Sequence, residues 1–485
     1  MPPARPTALP SPARRALRRW LAAALCGPLL WAASAAHADL PPEVAAALAR
    51  AKLPADALGV LVADADGKSP PRLLHRAAVP MNPASVMKLV TTYVALDQLG
   101  PAFTWPTSIY LDGPVRDGVL QGNLVIKGQG DPKLVVERLW LLLRRVQGLG
   151  IRLVAGDIVL DRSAFDVAEQ DPGEFDGERL RPYNASPDAL LLNFKALAFT
   201  FVPDVAAGVA RLQTEPPLAG VLVPASVALS NEPCGDWRSA LKADFADPLR
   251  VRFAGAYPVS CGERVWPVAY ADPARFAPRL VEGLWRELGG ALTGKVRDGR
   301  VPAALKPAFE VASPPLTEAI RDINKFSNNV MAQQLFLTLS AQARGVGTLD
   351  GSRSLTTTWW QARFGAADTP VLDNGSGLSR NERISPQALG RLLQAAWASP
   401  VMPELLSSLP ISGVDGTLRR SKVRLPGTAH LKTGSLRDVV SIAGYVDAAS
   451  GKRMVLVALV NHPNANAARP ALDALVEWAA RDTPP

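Results

Sequence analysis

The sequence predicts a mixed α/β chain of two or three domains, and three stretches carry that expectation. Leu58-Gly59-Val60-Leu61-Val62-Ala63-Asp64 reads as a strand entering a hairpin at Asp66-Gly67, with residues 72–76 as its partner. From Ser85 an apolar run with helical spacing reaches Leu99-Gly100. From about residue 197 to 259, β-branched residues, prolines and short alternations replace that spacing and mark a β-rich region.

Residues 1–38 stand apart from the fold. Arg14, Arg15, Arg18 and Arg19 precede an apolar segment over 20–33, and Ala36-His37-Ala38 supplies small residues before Asp39. This is the pattern of a secretory signal peptide cut after Ala38, with an apolar core too short for a comfortable membrane span. Cys26 lies inside that core without the small preceding residue of a lipoprotein site. Five arginines and no acids fall in residues 1–38, so the mature chain carries +4 of the formal +9. A charge that small over so long a chain excludes a nucleic-acid partner.

Export leaves Cys234 and Cys261 as the only cysteines, and an oxidising compartment favours a disulfide between them. His75, His430 and His462 are scattered without metal-ligand spacing, so neither metal nor cofactor is expected. No later segment has the uninterrupted apolar length of a transmembrane anchor. The run 467–480, with Leu472, Leu475, Val476 and Trp478, has helical spacing and lacks a basic cluster, which predicts a core-packing helix.

The chemistry begins at Asn82-Pro83-Ala84-Ser85-Val86-Met87-Lys88. Asn-Pro favours a turn, and on the helix that follows Ser85 and Lys88 share a face three residues apart. A hydroxyl becomes a nucleophile when a base takes its proton, and a lysine in an apolar, electropositive site can be that base. A lone Ser-x-x-Lys has little weight. Here Ser327-Asn328-Asn329 and Lys432-Thr433-Gly434 follow in order, the latter before the strand-like Val439-Val440-Ser441-Ile442-Ala443-Gly444-Tyr445-Val446.

Together these elements resemble the Ser-x-x-Lys, Ser-x-Asn and Lys-Thr-Gly signatures of penicillin-binding proteins and serine β-lactamases. More than 200 residues separate the first motif from the second, so a large region is inserted. With Gly128-Gln129-Gly130-Asp131-Pro132, Tyr183-Asn184-Ala185-Ser186-Pro187 and Asp373-Asn374-Gly375-Ser376-Gly377-Leu378-Ser379-Arg380, the chain resembles the D-alanyl-D-alanine carboxypeptidase/endopeptidase family of class C low-molecular-mass penicillin-binding proteins. The resemblance implies a split β-lactamase/transpeptidase-like α/β domain, an antiparallel sheet with helices on both faces. Its parts would be 39–100 and 306–485, with an inserted region at 101–305 that nests a β-rich subdomain at about 197–262.

The resemblance also implies roles. Ser85 attacks the penultimate carbonyl of a peptidoglycan stem peptide or crosslink, and Lys88 is the base, its proton loosened by like-charge repulsion from Lys432. Ser327 passes a proton to the leaving amine and Asn329 holds Lys88. Lys432 and Thr433 receive the terminal carboxylate, Gly434 leaves room beside the strand, and the backbone N–H groups of Ser85 and Ser435 form the oxyanion hole. Arg380 reaches a diaminopimelate-type carboxylate. Either Glu178 or Asp176, ahead of Tyr183, meets the free amine of that centre, and β-lactams act as covalent inhibitors in a Gram-negative periplasm. Two alternatives share parts of this pattern. A class A β-lactamase needs a water-activating Glu, and no Glu-x-x-Leu-Asn segment occurs; an inactive wall-binding scaffold would have lost one of the five catalytic residues, and none is lost.

Overall fold

In the computed structural model, which describes residues 39–482 apart from Glu169 and Leu425, the first and last strands of the chain meet in one sheet. The expected signal peptide and Cys26 lie outside the described residues. The sheet has five antiparallel strands in the order Ala429–Leu436, Val439–Asp447, Arg453–Asn461, Leu58–Asp64, Leu73–His75. Leu58 pairs with Val460 and Asp64 with Met454, so the sheet closes only when the chain has returned from the insertion.

Alternation along these strands separates two cores. Val60, Val62, Val440, Ile442, Leu456 and Val460 face Val44, Leu48, Leu472, Leu475 and Val476 of the helices Pro42–Arg50 and Arg469–Arg481. Leu61, Ala63, Ala443, Tyr445, Val455, Val457 and Leu459 face the opposite layer. There the helices Lys88–Leu99, Leu316–Lys325, Asn329–Arg344 and Pro386–Trp397 contribute Leu89, Val90, Ile320, Met331, Leu335, Leu389 and Leu392. A strand such as Arg453–Asn461, buried from Met454 through Val460, reads as an unbroken apolar run because both faces are covered. The C-terminal helix packs on this sheet, with the Arg72 guanidinium 4.4 Å from the Trp478 ring centroid. Among the described residues, no helix is long and apolar enough to cross a membrane.

The insertion has its own core, with Ile109, Ile126, Leu143, Phe199, Phe201, Tyr257 and Trp285 fully buried in it. One mixed sheet joins Val296–Asp298, Ile158–Asp161, Asn123–Lys127, Pro106–Asp112 and Phe309–Ala312. Phe309–Ala312 belongs to it, so the return to the catalytic layers comes at Leu316 rather than at 306. A second sheet joins Tyr257–Pro258, Ser226–Ser230, Val209–Glu215, Ala196–Asp204 and Arg264–Ala269. That last strand lies beyond the expected limit at 262. Pro267 and two charged neighbours hide it in the sequence, and Pro is tolerated there because the strand is at an edge. Cys234 and Cys261 are joined as a disulfide beside the Phe201–Tyr257 stack, whose centroids lie 5.2 Å apart.

Candidate active site

Ser85 sits in a single 3₁₀ turn, Ala84–Met87, that runs into the helix Lys88–Leu99. The turn forces Ala84 to φ +47°, a conformation that costs an alanine about 1 kcal/mol or more. Five hydrogen bonds hold it. The Asn82 side chain accepts from the Ala84 N–H at 2.9 Å and donates to the Ser379 carbonyl at 2.9 Å. The Asn461 side-chain amide grips the Asn82 backbone at 2.8 and 2.9 Å, and Ser441 Oγ donates to the Pro83 carbonyl at 2.6 Å. Two glycines close around the nucleophile. A Cβ on Gly377 would stand 2.0 Å from the Ala84 oxygen, and one on Gly434 would stand 3.0 Å from the Ser85 nitrogen.

Lys88 is fully buried behind Ser85. Its Nζ contacts Ser85 Oγ at 2.9 Å, donates to Asn329 Oδ1 at 2.7 Å, and donates to the Ser376 carbonyl. With two acceptors already in place, a neutral Lys88 amine can turn its lone pair to its third partner, the Ser85 hydroxyl. Burial pulls its pKa down to about 7, while the charge of Glu382 opposes that pull. The expected cause was repulsion from Lys432; desolvation takes its place because Lys88 has no exposed surface at all. The repulsion is felt at Lys432, which burial first and the Lys88 charge second hold well below its ordinary value.

Ser327, Asn328 and Asn329 divide three tasks at a helix start. Ser327, at φ +58°, accepts from Lys432 Nζ at 2.8 Å; Asn328 caps the helix by accepting from the Met331 N–H at 3.1 Å. Asn329 receives Lys88 and donates to the Tyr183 carbonyl at 3.0 Å, which ties the insertion to the centre of the site. Behind them the buried Lys325 ammonium pairs with Asp415 at 2.6 Å. Lys432 also donates to the Thr433 carbonyl at 2.7 Å, so two of the three donors of its buried amine are engaged.

The remaining predicted residues are dispersed around this centre. Asp176 accepts from the Tyr183 hydroxyl at 2.9 Å and from the Asn184 amide at 2.8 Å. Burial and that carboxylate push Tyr183 up to about 12. Glu178 turns away to Arg181 at 3.2 Å and its side chain is 56% exposed. Arg380 pairs with Asp438 at 2.9 Å and stacks on Phe175, its guanidinium carbon 4.7 Å from the ring centroid. The Ser435 side chain accepts from Arg469 Nη2 at 3.1 Å. A cleft of about 620 Å³ opens at Ser85 and Ser327 and is lined by Thr433, Ser435, Arg420 and Arg469.

Five participants were not foreseen from the sequence: Asn82, Ser376, Glu382, Ser441 and Arg469. A signal existed for Ser376, in the run 373–380. Gly375 and Gly377 both have positive φ, 71° and 80°, and they turn the chain so that the Ser376 carbonyl meets Lys88 and the Gly375 carbonyl meets Thr91 Oγ1 at 2.6 Å. Asn82 and Ser441 lie in stretches that read as turn and strand alone, while Glu382 comes from a loop and Arg469 from the last helix, neither within a motif.

Comparison with known proteins points one way. The D-alanyl-D-alanine carboxypeptidase DacB of Haemophilus influenzae is 26% identical over 400 residues, covering 78% of this chain and 80% of that protein. A D-alanyl-D-alanine carboxypeptidase of an Actinomadura species is 29% identical over 438 residues, covering 83% and 78%. The crystal structure of penicillin binding protein 4 from Haemophilus influenzae matches with a TM-score of 0.70 at 23% identity, over 90% of this chain and 99% of that one. A predatory endopeptidase of Bdellovibrio bacteriovorus, crystallised with an immunity protein, shares the fold with a TM-score of 0.51 at 14% identity, over 87% and 90%. The model of the D-Ala-D-Ala carboxypeptidase 3 (S13) family matches residues 40–482, and with nearly all the described chain inside that match the protein belongs to this family.

Proposed function

We propose that this protein is an exported, penicillin-binding serine D-Ala-D-Ala carboxypeptidase that acts on peptidoglycan stem peptides through a Ser85 acyl-enzyme. The observation that carries the reading is the Ser85 hydroxyl 2.9 Å from a fully buried Lys88 amine whose other two partners are acceptors. Lys88 takes the Ser85 proton as Oγ bonds to the penultimate carbonyl carbon. The charge that develops on the carbonyl oxygen falls to the backbone N–H groups of Ser85 and Ser435. Ser327 delivers its hydroxyl proton to the departing D-Ala nitrogen as the C–N bond breaks, and takes one from Lys432 Nζ along their hydrogen bond. Water then adds to the acyl carbon, one of its protons returning to Lys432 through Ser327, and Ser85 leaves with the proton held by Lys88.

Recognition of the terminal carboxylate divides among three residues. Lys432 contributes its field and a third N–H, since Ser327 and the Thr433 carbonyl take two of the three. Thr433 and the exposed Arg469, tied to Ser435, are the other donors a carboxylate meets in the cleft. We assign the substrate amine to Asp176 rather than Glu178, because Asp176 meets Tyr183 while Glu178 pairs with Arg181, and Arg380 borders the neighbouring cavity with Phe175, Asn374 and Ser379. The signal-peptide pattern and the disulfide support a periplasmic location.

Intact-mass analysis after benzylpenicillin, on the wild type and Ser85→Ala, tests the proposal. A single adduct on the wild type alone, with D-Ala released from muropeptides, is the expected result. Cleavage of crosslinks in the same samples measures the endopeptidase share. Absence of an adduct would refute the acyl-enzyme, and rapid penicillin turnover with intact muropeptides would instead indicate a β-lactamase.

A further inference from the structure

Beneath the lysine lies a carboxyl group with no part in the chemistry described so far. Glu382 is fully buried, two residues beyond Arg380. Its Oε1 accepts from the backbone N–H of Asp373 at 3.2 Å and of Gly375 at 3.0 Å. Its Oε2 has no hydrogen-bond partner among the described residues. The stretch of loop it grips continues into Ser376, whose carbonyl receives Lys88. An ionised carboxylate with one oxygen unpaired is costly in a protein interior, and an amide or apolar side chain could have filled the space without that cost.

The charged groups nearby leave Lys88 as its counterpart. Asp373 is a like charge, and Arg353 is committed to it at 2.9 Å. Arg383 spends its guanidinium on the carbonyls of Arg380 and Glu382 itself, at 2.7 and 2.8 Å. From the sheet side, Lys432 is engaged by Ser327 and by its own strand. The helix Asn329–Arg344 brings the neutral Asn329 to Lys88 and the neutral Gln333 to the adjoining cavity.

We propose that Glu382 is a positioning residue for Lys88: its carboxylate fixes the carbonyl that receives the amine, and its charge holds the proton there. Attraction between buried opposite charges and burial of each act in opposite senses, and both groups titrate at about 7, Lys88 from above and Glu382 from below. The carboxylate's charge thus favours the protonated amine, while the carbonyl it holds in place stays aligned with Lys88 Nζ.

The inference rests on Lys88 being the base of the proposed acylation, and the pH profile of E382Q tests it separately. The amide keeps an oxygen for the two backbone donors and removes only the charge. Second-order acylation by benzylpenicillin is measured from pH 5 to 9 by intact mass. The acidic limb of E382Q is expected about one pH unit below that of the wild type, so that acylation at pH 6 rises about fivefold while the plateau at pH 9 stays within threefold. A limb that stays in place, or moves up, overturns the proposal. E382N carries the same comparison if E382Q does not fold, and failure of both to fold would make Glu382 a structural residue and likewise overturn it. A wild type that forms no Ser85 adduct would count against the peptidase reading instead.

Discussion

Lys88→Met removes the amine while keeping the length of the side chain, and the structure sets what that loss costs. With Lys88 titrating at about 7, roughly half of the sites hold a free base at pH 7, about a tenth at pH 6 and on the order of a hundredth at pH 5. Wild-type acylation is thus expected to fall about tenfold for each unit below neutrality. K88M should be about 10²- to 10⁴-fold slower on the plateau and lose this slope, because among the described residues Lys88 is the amine that contacts Ser85 Oγ. Stability carries an independent signature. Lys88 titrates lower folded than unfolded, so its contribution is full above 10.5 and falls as pH drops to about 7, by roughly 1.4 kcal/mol per unit. Glu382 is raised from 4.5 to about 7, so its contribution is full below 4.5 and falls as pH rises to about 7. The two together place a minimum near pH 7 in the difference between wild type and a K88M/E382Q double variant, measurable by urea unfolding. An acylation rate flat from pH 5 to 8, or K88M within threefold of wild type, would refute the assignment of Lys88 as base.

Three further outcomes follow from the geometry. Gly377→Ala places a Cβ against the Ala84 carbonyl at a φ of +80°, so Ser85 must shift; acylation is expected to fall about 10²-fold, read beside the thermal midpoint. Arg469→Ala removes the exposed cation beside Ser435, and kcat/KM for a D-Ala-D-Ala peptide should drop about 10- to 100-fold, mainly through KM. The Cys234→Ser, Cys261→Ser pair opens a link across 27 residues and should cost about 2–4 kcal/mol in the insertion, lowering its unfolding midpoint in a protease-resistance assay. Acylation at Ser85 should be unchanged, since that link lies in the insertion's separate core.

The residue types of the chemistry are local in the chain and were legible there. Ser85 and Lys88 are three residues apart, Ser327 and Asn329 flank the start of a second helix, and Lys432-Thr433-Gly434 lies within a strand. The insertion's β-rich texture was legible too, but its limits were not. Strands Phe309–Ala312 and Arg264–Ala269 are short and contain charged residues or proline, and only pairing with distant partners makes them strands.

What the sequence by itself determined is therefore which side chains can react and on which kind of element each is carried, because helical and strand spacing are properties of neighbouring residues. Only the tertiary structure decided how strongly they react. Burial of Lys88 and Lys432, the grip of Asn82 and Asn461 on a strained turn, and the carboxyl of Glu382 under Ser376 all join segments up to 379 residues apart. Desolvation and charge–charge energy depend on distance in space and on what excludes water, and neither is written in the order of the residues.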